Sequence, residues 1–224
     1  ADARQNAMHM PGQCREPSRM LTDQFQLAAE NRLRYQDFPV ADNQALPALL
    51  SYTGIVFKRI APKDFTKDDL EYAQQHLLIS SFLYGLLSPA RSQSRITGWK
   101  VMSASAKTIT NHVQFLEAET DDYFIAQIKQ QGGLLINLAS SEMKDLVDWG
   151  KVTREVKVIT GFQVYKNGKP ATVVIYTKMC RGEMTRFILK NRLEDAESLK
   201  SFSWEGFNYN PRLSTDTQMV FTME

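Results

Sequence analysis

Two alternating runs meet at Asn167-Gly168, and this dipeptide limits the fold more than any other feature of the chain. The two-residue turn that joins antiparallel strands needs positive φ at its central positions, which Asn and Gly tolerate best. Glu155–Tyr165 on one side and Ala171–Met179 on the other alternate at the strand period, so a β-hairpin is expected. The sheet that contains it must then be covered. Arg181–Leu193 reads as a covering helix, with Met184, Phe187 and Ile188 on one face. Arg186 and Lys190, one turn apart, fall together on the other side.

The rest of the chain fits the same plan. A short helix is expected from Gln26 to before Pro39, and Gly54 breaks the apolar stretch Ala48–Phe57 into two short buried elements. Thr66 is a good N-cap, with Asp68 and Asp69 in the first turn that follows, where carboxylates meet the positive end of the helix dipole. That helix is expected to turn Leu70, Ala73 and Leu77 inward. Tyr123–Gln131 reads as a further helix, Leu134–Leu138 as a buried strand and Met219–Met223 as a closing strand. Together these predict one α+β domain over residues 1–224, a central and mostly antiparallel sheet flanked by helices.

A chain of 224 residues, 43% of them hydrophobic, can bury one sizeable core. Its net charge is only +2, yet residues 151–200 hold eleven Lys and Arg against five Asp and Glu. Such a segment suits either a solvated surface or phosphate groups. Cys14 and Cys180, like His9, His76 and His112, lack metal-ligand spacing, so no metal or other cofactor is expected. His76 reads as a surface or core histidine rather than a base. No apolar run reaches the roughly 20 residues that cross a bilayer. A monomer in the reducing cytoplasm, away from membranes, fits this usage. The chain opens on Ala1, so its true start is expected upstream.

Three blocks carry more information than composition does. Tyr72-Ala73-Gln74-Gln75-His76-Leu77 leads into Leu83-Tyr84-Gly85-Leu86-Leu87. Ile136-Asn137-Leu138-Ala139-Ser140-Ser141-Glu142 reads as a strand running into a helix start. Lys178-Met179-Cys180-Arg181-Gly182-Glu183-Met184-Thr185-Arg186-Phe187-Ile188 closes on Asn191-Arg192 and reads as a strand-to-helix turn. At such a turn, unpaired N–H groups and Arg181 would hold an anion. If the two strands are neighbours, Asn137, Ser140, Lys178 and Arg181 form one cleft at an end of the sheet. The plainer reading is that Asn137 and Ser140 only cap the following helix. Cys180 has two readings as well, a thiol of lowered pKa at a helix start or a buried side chain.

In this order and spacing the blocks resemble the YaaA family of bacterial peroxide-stress proteins, over roughly residues 26–87 and 122–224. The resemblance implies a cytoplasmic protein that binds DNA, in part through a helix-hairpin-helix, and limits iron-dependent damage. It supplies no settled reaction. By position the helix-hairpin-helix falls around residues 14–36, with Arg32 and Arg34 as its basic side chains. Lys178, Arg181, Arg186 and Lys190, with Asn137 and Ser140, complete the anion-binding set. The expected partner is duplex DNA gripped through its backbone without sequence preference. The alternative is an enzyme acting on a nucleotide or nucleic acid. Glu142 would then be the acid or base, within a cleft of Asn137, Ser140, Lys178, Arg181 and Arg186. Direct iron binding is disfavoured, because no His, Asp or Glu cluster has ligand spacing.

The resemblance breaks in two places. The family's opening strand, with a Ser-x-Ala-Lys-Thr-like motif, is absent. After Leu87 the family continues with Arg-Pro-Leu-Asp and then Tyr-Arg-Leu-Glu, where this chain reads Ser88-Pro89-Ala90-Arg91. Shifting the codon frame between Gln93 and Ser103 permits Tyr-Arg-Leu-Glu again, because Trp99 followed by Lys100 then encodes Glu. A one-base shift over Cys14–Phe25 permits a helical segment in the same way. Residues of about 13–25 and 90–121 are therefore expected to be out-of-frame products that pack poorly.

Overall fold

A computed structural model of the protein describes residues 46–81, 85–90, 92–93, 121–140, 146–166, 169–170 and 174–223. The described residues gather into two compact units. The expected segments 14–36 and 13–25, and nearly all of 90–121, lie outside them, as does Glu142.

The smaller unit holds the described residues up to Ser51, from Leu78 to Phe124, and from Leu146 to Trp149. Its first strand, β1 (Leu46–Pro47), runs into the short helix α1 (Ala48–Ser51). Ser51 Oγ donates back to the carbonyls of Leu46 and Pro47 at 3.1 and 2.8 Å, closing that turn. Two antiparallel strand pairs lie in the unit. β2 (Ile79–Ser81) pairs antiparallel with β3 (Gly85–Leu87), and β1 pairs antiparallel with β4 (Ser92–Gln93). Ala48, Leu49 and Leu87 are buried, whereas Leu50, expected inside, is 44% exposed.

In the larger unit, Gly54 caps α2 (Ile55–Ile60). Thr66 then opens α3 (Lys67–His76) with a capping box: its hydroxyl accepts from Asp69 N–H, and the Asp69 carboxylate accepts from Thr66 N–H. The N-cap expectation holds. The inward face does not, because Ala73 is buried while Leu70 is 38% exposed and Asp69 takes the inner position at 4%. The face that packs is Asp69, Tyr72, Ala73 and His76, spaced as one helical stripe. It is chosen by polar partners rather than by hydrophobicity.

A helix over residues 121–130, named α4, leads to β5 (Leu134–Asn137), and α5 (Trp149–Glu155) leads to β6 (Lys157–Lys166). β6 meets β7 (Lys169–Pro170) with Lys166 opposite Lys169, the antiparallel pairing expected there, while Asn167-Gly168 itself lies outside the described residues. The second arm stops after two residues. α6 (Val174–Asn191) begins well inside the expected strand 171–179. The β-branched residues there favour a strand, but Tyr176, Cys180, Met184, Phe187 and Ile188 recur at helical spacing and pack into the sheet's core. Tertiary burial overrides local propensity.

Three further strands, β8 (Ser203–Trp204), β9 (Phe207–Tyr209) and β10 (Gln218–Met223), complete the sheet in the order β5-β6-β10-β9-β8. Three of its five pairings are antiparallel, but β6 runs parallel to both β5 and β10. Parallel neighbours need long connections, supplied here by the segments that carry α5 and α6. The class is α+β. Phe202, Phe207, Phe221, Met184 and Cys180 form the core between α6 and the sheet, with edge-to-face contacts between Phe202 and Phe187 and between Phe202 and Phe221, each at 5.5 Å.

Candidate anion-binding site

α6 carries four of the residues expected to bind an anion, and its position in the fold gives each a different role. Because α6 starts at Val174, Lys178 lies in its second turn and Arg181 further in. The strand-to-helix junction expected at Arg181 is thus overturned. Backbone N–H groups beyond the first turn of a helix are spent on its own hydrogen bonds, so none is left there for an anion. Gly182 has a different task. A Cβ on it would lie 2.4 Å from the Val56 carbonyl oxygen and 2.5 Å from Arg59 Cβ. Glycine at this point lets α2 and α6 cross with their backbones nearly touching.

Arg186 and Lys190 are held inside the unit. The Arg186 guanidinium donates to both Asp64 carboxylate oxygens, at 2.7 and 2.6 Å, and to the carbonyls of Ile60 and Ala61 at the end of α2. Lys190 Nζ donates to Asp69 Oδ2 at 2.7 Å and to the Asp64 carbonyl at 3.2 Å. Arg192 adds a longer pair to Asp69 at 3.7 Å. Both cations also lie over the Phe65 ring, Lys190 at 5.0 Å and Arg186 at 5.7 Å. The Lys190 hydrogen bond, and then Thr66 N–H, hold the Asp69 carboxyl down at about 2. These contacts fasten α3 and the turn before it to α6.

Lys178 and Arg181 are placed otherwise. Three residues apart, they lie on neighbouring positions of one helix surface. Lys178 is exposed and Arg181 half-buried, and among the described residues neither has a carboxylate partner. Burial alone lowers the Arg181 pKa, with no anion to offset it. The guanidinium nevertheless stays charged near neutrality.

The strand side of the expected cleft separates from them. Leu134 and Ile136 on β5 pack toward the core that α6 covers. Side chains alternate along a strand, so Asn137 sits on the opposite face. Its amide oxygen accepts from Ala139 N–H at 3.1 Å, the local capping role. Ser140 follows, half-buried, at the edge of the described segment. Arg32 and Arg34 lie outside the described residues.

Cys180 is fully buried, and burial pushes its thiol up to about 12. The buried reading holds and the activated one is corrected, because residue 180 faces the core from mid-helix rather than a helix start. His76 stacks on Tyr72 at 3.9 Å and contacts its carbonyl through Nδ1 at 2.9 Å, a structural placement. No helix among the described residues is long and apolar enough to cross a membrane. The pairing of Lys129 with Glu155, at 2.6 Å, was not foreseen from the sequence. The two residues are 26 positions apart, so sequence spacing carried no sign of it.

The chain is similar to proteins of known family. A UPF0246 protein of Phocaeicola vulgatus is 49% identical over 224 residues, covering 99% of this chain and 88% of the relative. A UPF0246 protein of Bacteroides fragilis is 51% identical over 211 residues, covering 92% and 81%. One from Porphyromonas gingivalis is 42% identical over 214 residues, covering 94% and 83%. The family model described as peroxide stress protein YaaA matches residues 11–213, and the chain therefore belongs to the YaaA peroxide-stress family.

Proposed function

We propose that this YaaA-family chain acts in the cytoplasm during peroxide stress by binding the phosphate backbone of duplex DNA, limiting iron-dependent damage there. The observation that carries the reading is Arg181, a cation withdrawn from water with no counter-charge among the described residues. Desolvating a charge without a partner is unfavourable, and an arriving phosphate recovers part of that loss. Lys178 beside it supplies a second, exposed cation. Arg186 and Lys190, committed to Asp64 and Asp69, act one step back by fixing the helix that presents them. A cationic surface on DNA releases the cations condensed on it. Iron(II) held at the phosphates would be among them, which links backbone binding to protection.

Peroxide survival of a strain lacking its own family member tests the reading. The wild-type chain should restore survival, and Lys178→Glu with Arg181→Glu should not, although the folded protein accumulates. Lys178→Glu alone, at an exposed position, should restore it only in part. Full restoration by both variants would remove this helix surface from the function.

A further inference from the structure

The turn Pro62–Asp64 and α3 lie against α6 through charge more than through apolar burial. Across Pro62–His76 the buried residues are Phe65, Asp69 and Ala73, so one of the three is a carboxylate. The polar attachments to α6 are Asp64 to Arg186 at 2.6 and 2.7 Å, and Asp69 to Lys190 at 2.7 Å and to Arg192 at 3.7 Å. Just past α6, the Tyr72 hydroxyl donates to the Leu193 carbonyl at 3.3 Å. Apolar contacts are indifferent to dissolved anions, whereas an ion pair competes with any anion that reaches its cation.

Each carboxylate can give up its cation without unravelling the segment. The Asp64 side chain is 56% exposed, so water solvates it once Arg186 turns away. Asp69 Oδ2 also accepts from Thr66 N–H, so the capping box, and α3 with it, outlasts the loss of Lys190. Backbone strain marks both sides of the contact. Ala61, between α2 and the turn, holds φ of 49°, and Arg192, just past the end of α6, holds φ of 50°. Both values are unfavourable for a residue that carries Cβ. Such strain persists only where surrounding contacts over-determine it, and it gathers at switch segments. Rotation about Ala61 would relieve it there, while the bonds from Arg186 Nη1 to the Ile60 and Ala61 carbonyls keep α2 on α6.

We infer that Pro62–His76 is an autoinhibitory strap. Asp64 and Asp69 occupy Arg186, Lys190 and Arg192 in place of an anionic ligand and yield to one that outcompetes them. The inference rests on the function proposed above and concerns the regulation of that site. Lys178 and Arg181 meet the ligand first, and displacement of the strap adds the cations further along α6. Linkage makes the effect reciprocal: a ligand on those cations loosens α3, and a tighter α3 weakens the ligand.

The test compares two variants of equal charge in the full chain. Asp64→Asn removes a carboxylate that covers an α6 cation. Asp68→Asn removes one from the same strap that, among the described residues, has no partner on α6; both positions are exposed. Duplex binding is followed by fluorescence anisotropy as salt rises. At about 0.1 M salt Asp64→Asn should bind about 5- to 10-fold more tightly than Asp68→Asn, with a slope of log K against log salt larger by about 0.9, one added phosphate contact. In the wild type, amide exchange read by mass spectrometry should be faster across α3 with duplex bound than without it. A wild type that binds, with the two variants alike in affinity and slope, overturns the strap and leaves the function standing. Exchange across α3 that is unchanged or slower on binding also overturns the strap, and this readout needs no variant to fold. No binding by any of the three proteins at low salt overturns both.

Discussion

Gly182→Ala measures how closely α2 and α6 are packed. In an exposed helix, Ala in place of Gly stabilises by about 1 kcal/mol. Here the new Cβ would stand 2.4 Å from a backbone oxygen and 2.5 Å from Arg59 Cβ, where ordinary contact begins at 3.4 Å. Neither atom is the free end of a flexible chain. Arg59 is further held by Glu183 at 3.3 Å and by stacking over the Trp204 ring at 5.3 Å. The helices must separate by about 1 Å, and overpacking of this kind costs about 1–3 kcal/mol. Because backbone is what must move, the upper end applies. Against the propensity gain, the net is a loss of about 2 kcal/mol, or a fall in Tm of about 4–8 °C for a chain of this size. Urea unfolding followed by circular dichroism reads the change directly. Gly54→Ala is the control, since no atom lies within 4 Å of the Cβ it would add, and it should cost only the preference of an N-cap for glycine over alanine, about 0.5–1 kcal/mol. A Gly182→Ala protein as stable as the wild type, or more so, would refute the close crossing of α2 and α6.

Three further expectations follow from the same geometry. Asp69, held at about 2 against an ordinary 3.8, contributes stability that is present above pH 4 and lost as the pH falls toward 2. Asp69→Asn should therefore flatten the acid limb of the stability curve, and an unchanged limb would show that Lys190 does not hold the carboxylate. Cys180, buried with its thiol pushed up to about 12, should resist maleimide and peroxide in the folded protein and react only in denaturant, as mass spectrometry would show. Ala61 holds φ of 49° at the end of α2, so Ala61→Gly should raise the urea midpoint by the equivalent of about 0.5–1 kcal/mol. A lowered midpoint would mean that the alanine side chain contributes packing that outweighs the strain.

Local chemistry in this chain was legible, and long-range partnership was not. The Thr66 cap and the antiparallel pairing of Lys166 with Lys169 depend on residues three apart, and both appear where expected. The start of α6 was misplaced because Val174 and Ile175 satisfy a strand pattern as well as a helix, and only the core that Tyr176 and Cys180 enter decides between them. The turn Glu205-Gly206, with φ of 46° and 84°, joins Trp204 to Phe207 in a two-residue hairpin. Its aromatic flanks were a usable signal, but a lone glycine after glutamate is a weak one. For the site, residue types alone marked Arg186 and Lys190 as cations facing outward. Their carboxylates lie 122 and 121 positions away, so sequence spacing carried no sign of the pairing. Lys178 and Arg181 stood out for the wrong reason, as a strand end, and keep their interest because nothing among the described residues neutralises them.

The central claim is that this chain grips DNA through phosphates alone. Its most direct measurement is the affinity of the full chain for two duplexes of equal length and unrelated sequence, followed by anisotropy as salt rises. The account predicts equal affinities for both, and log K falling linearly with log salt with a slope of several units, about 0.9 for each phosphate contact. Affinity that is absent at low salt, or that holds steady as salt increases, would contradict it.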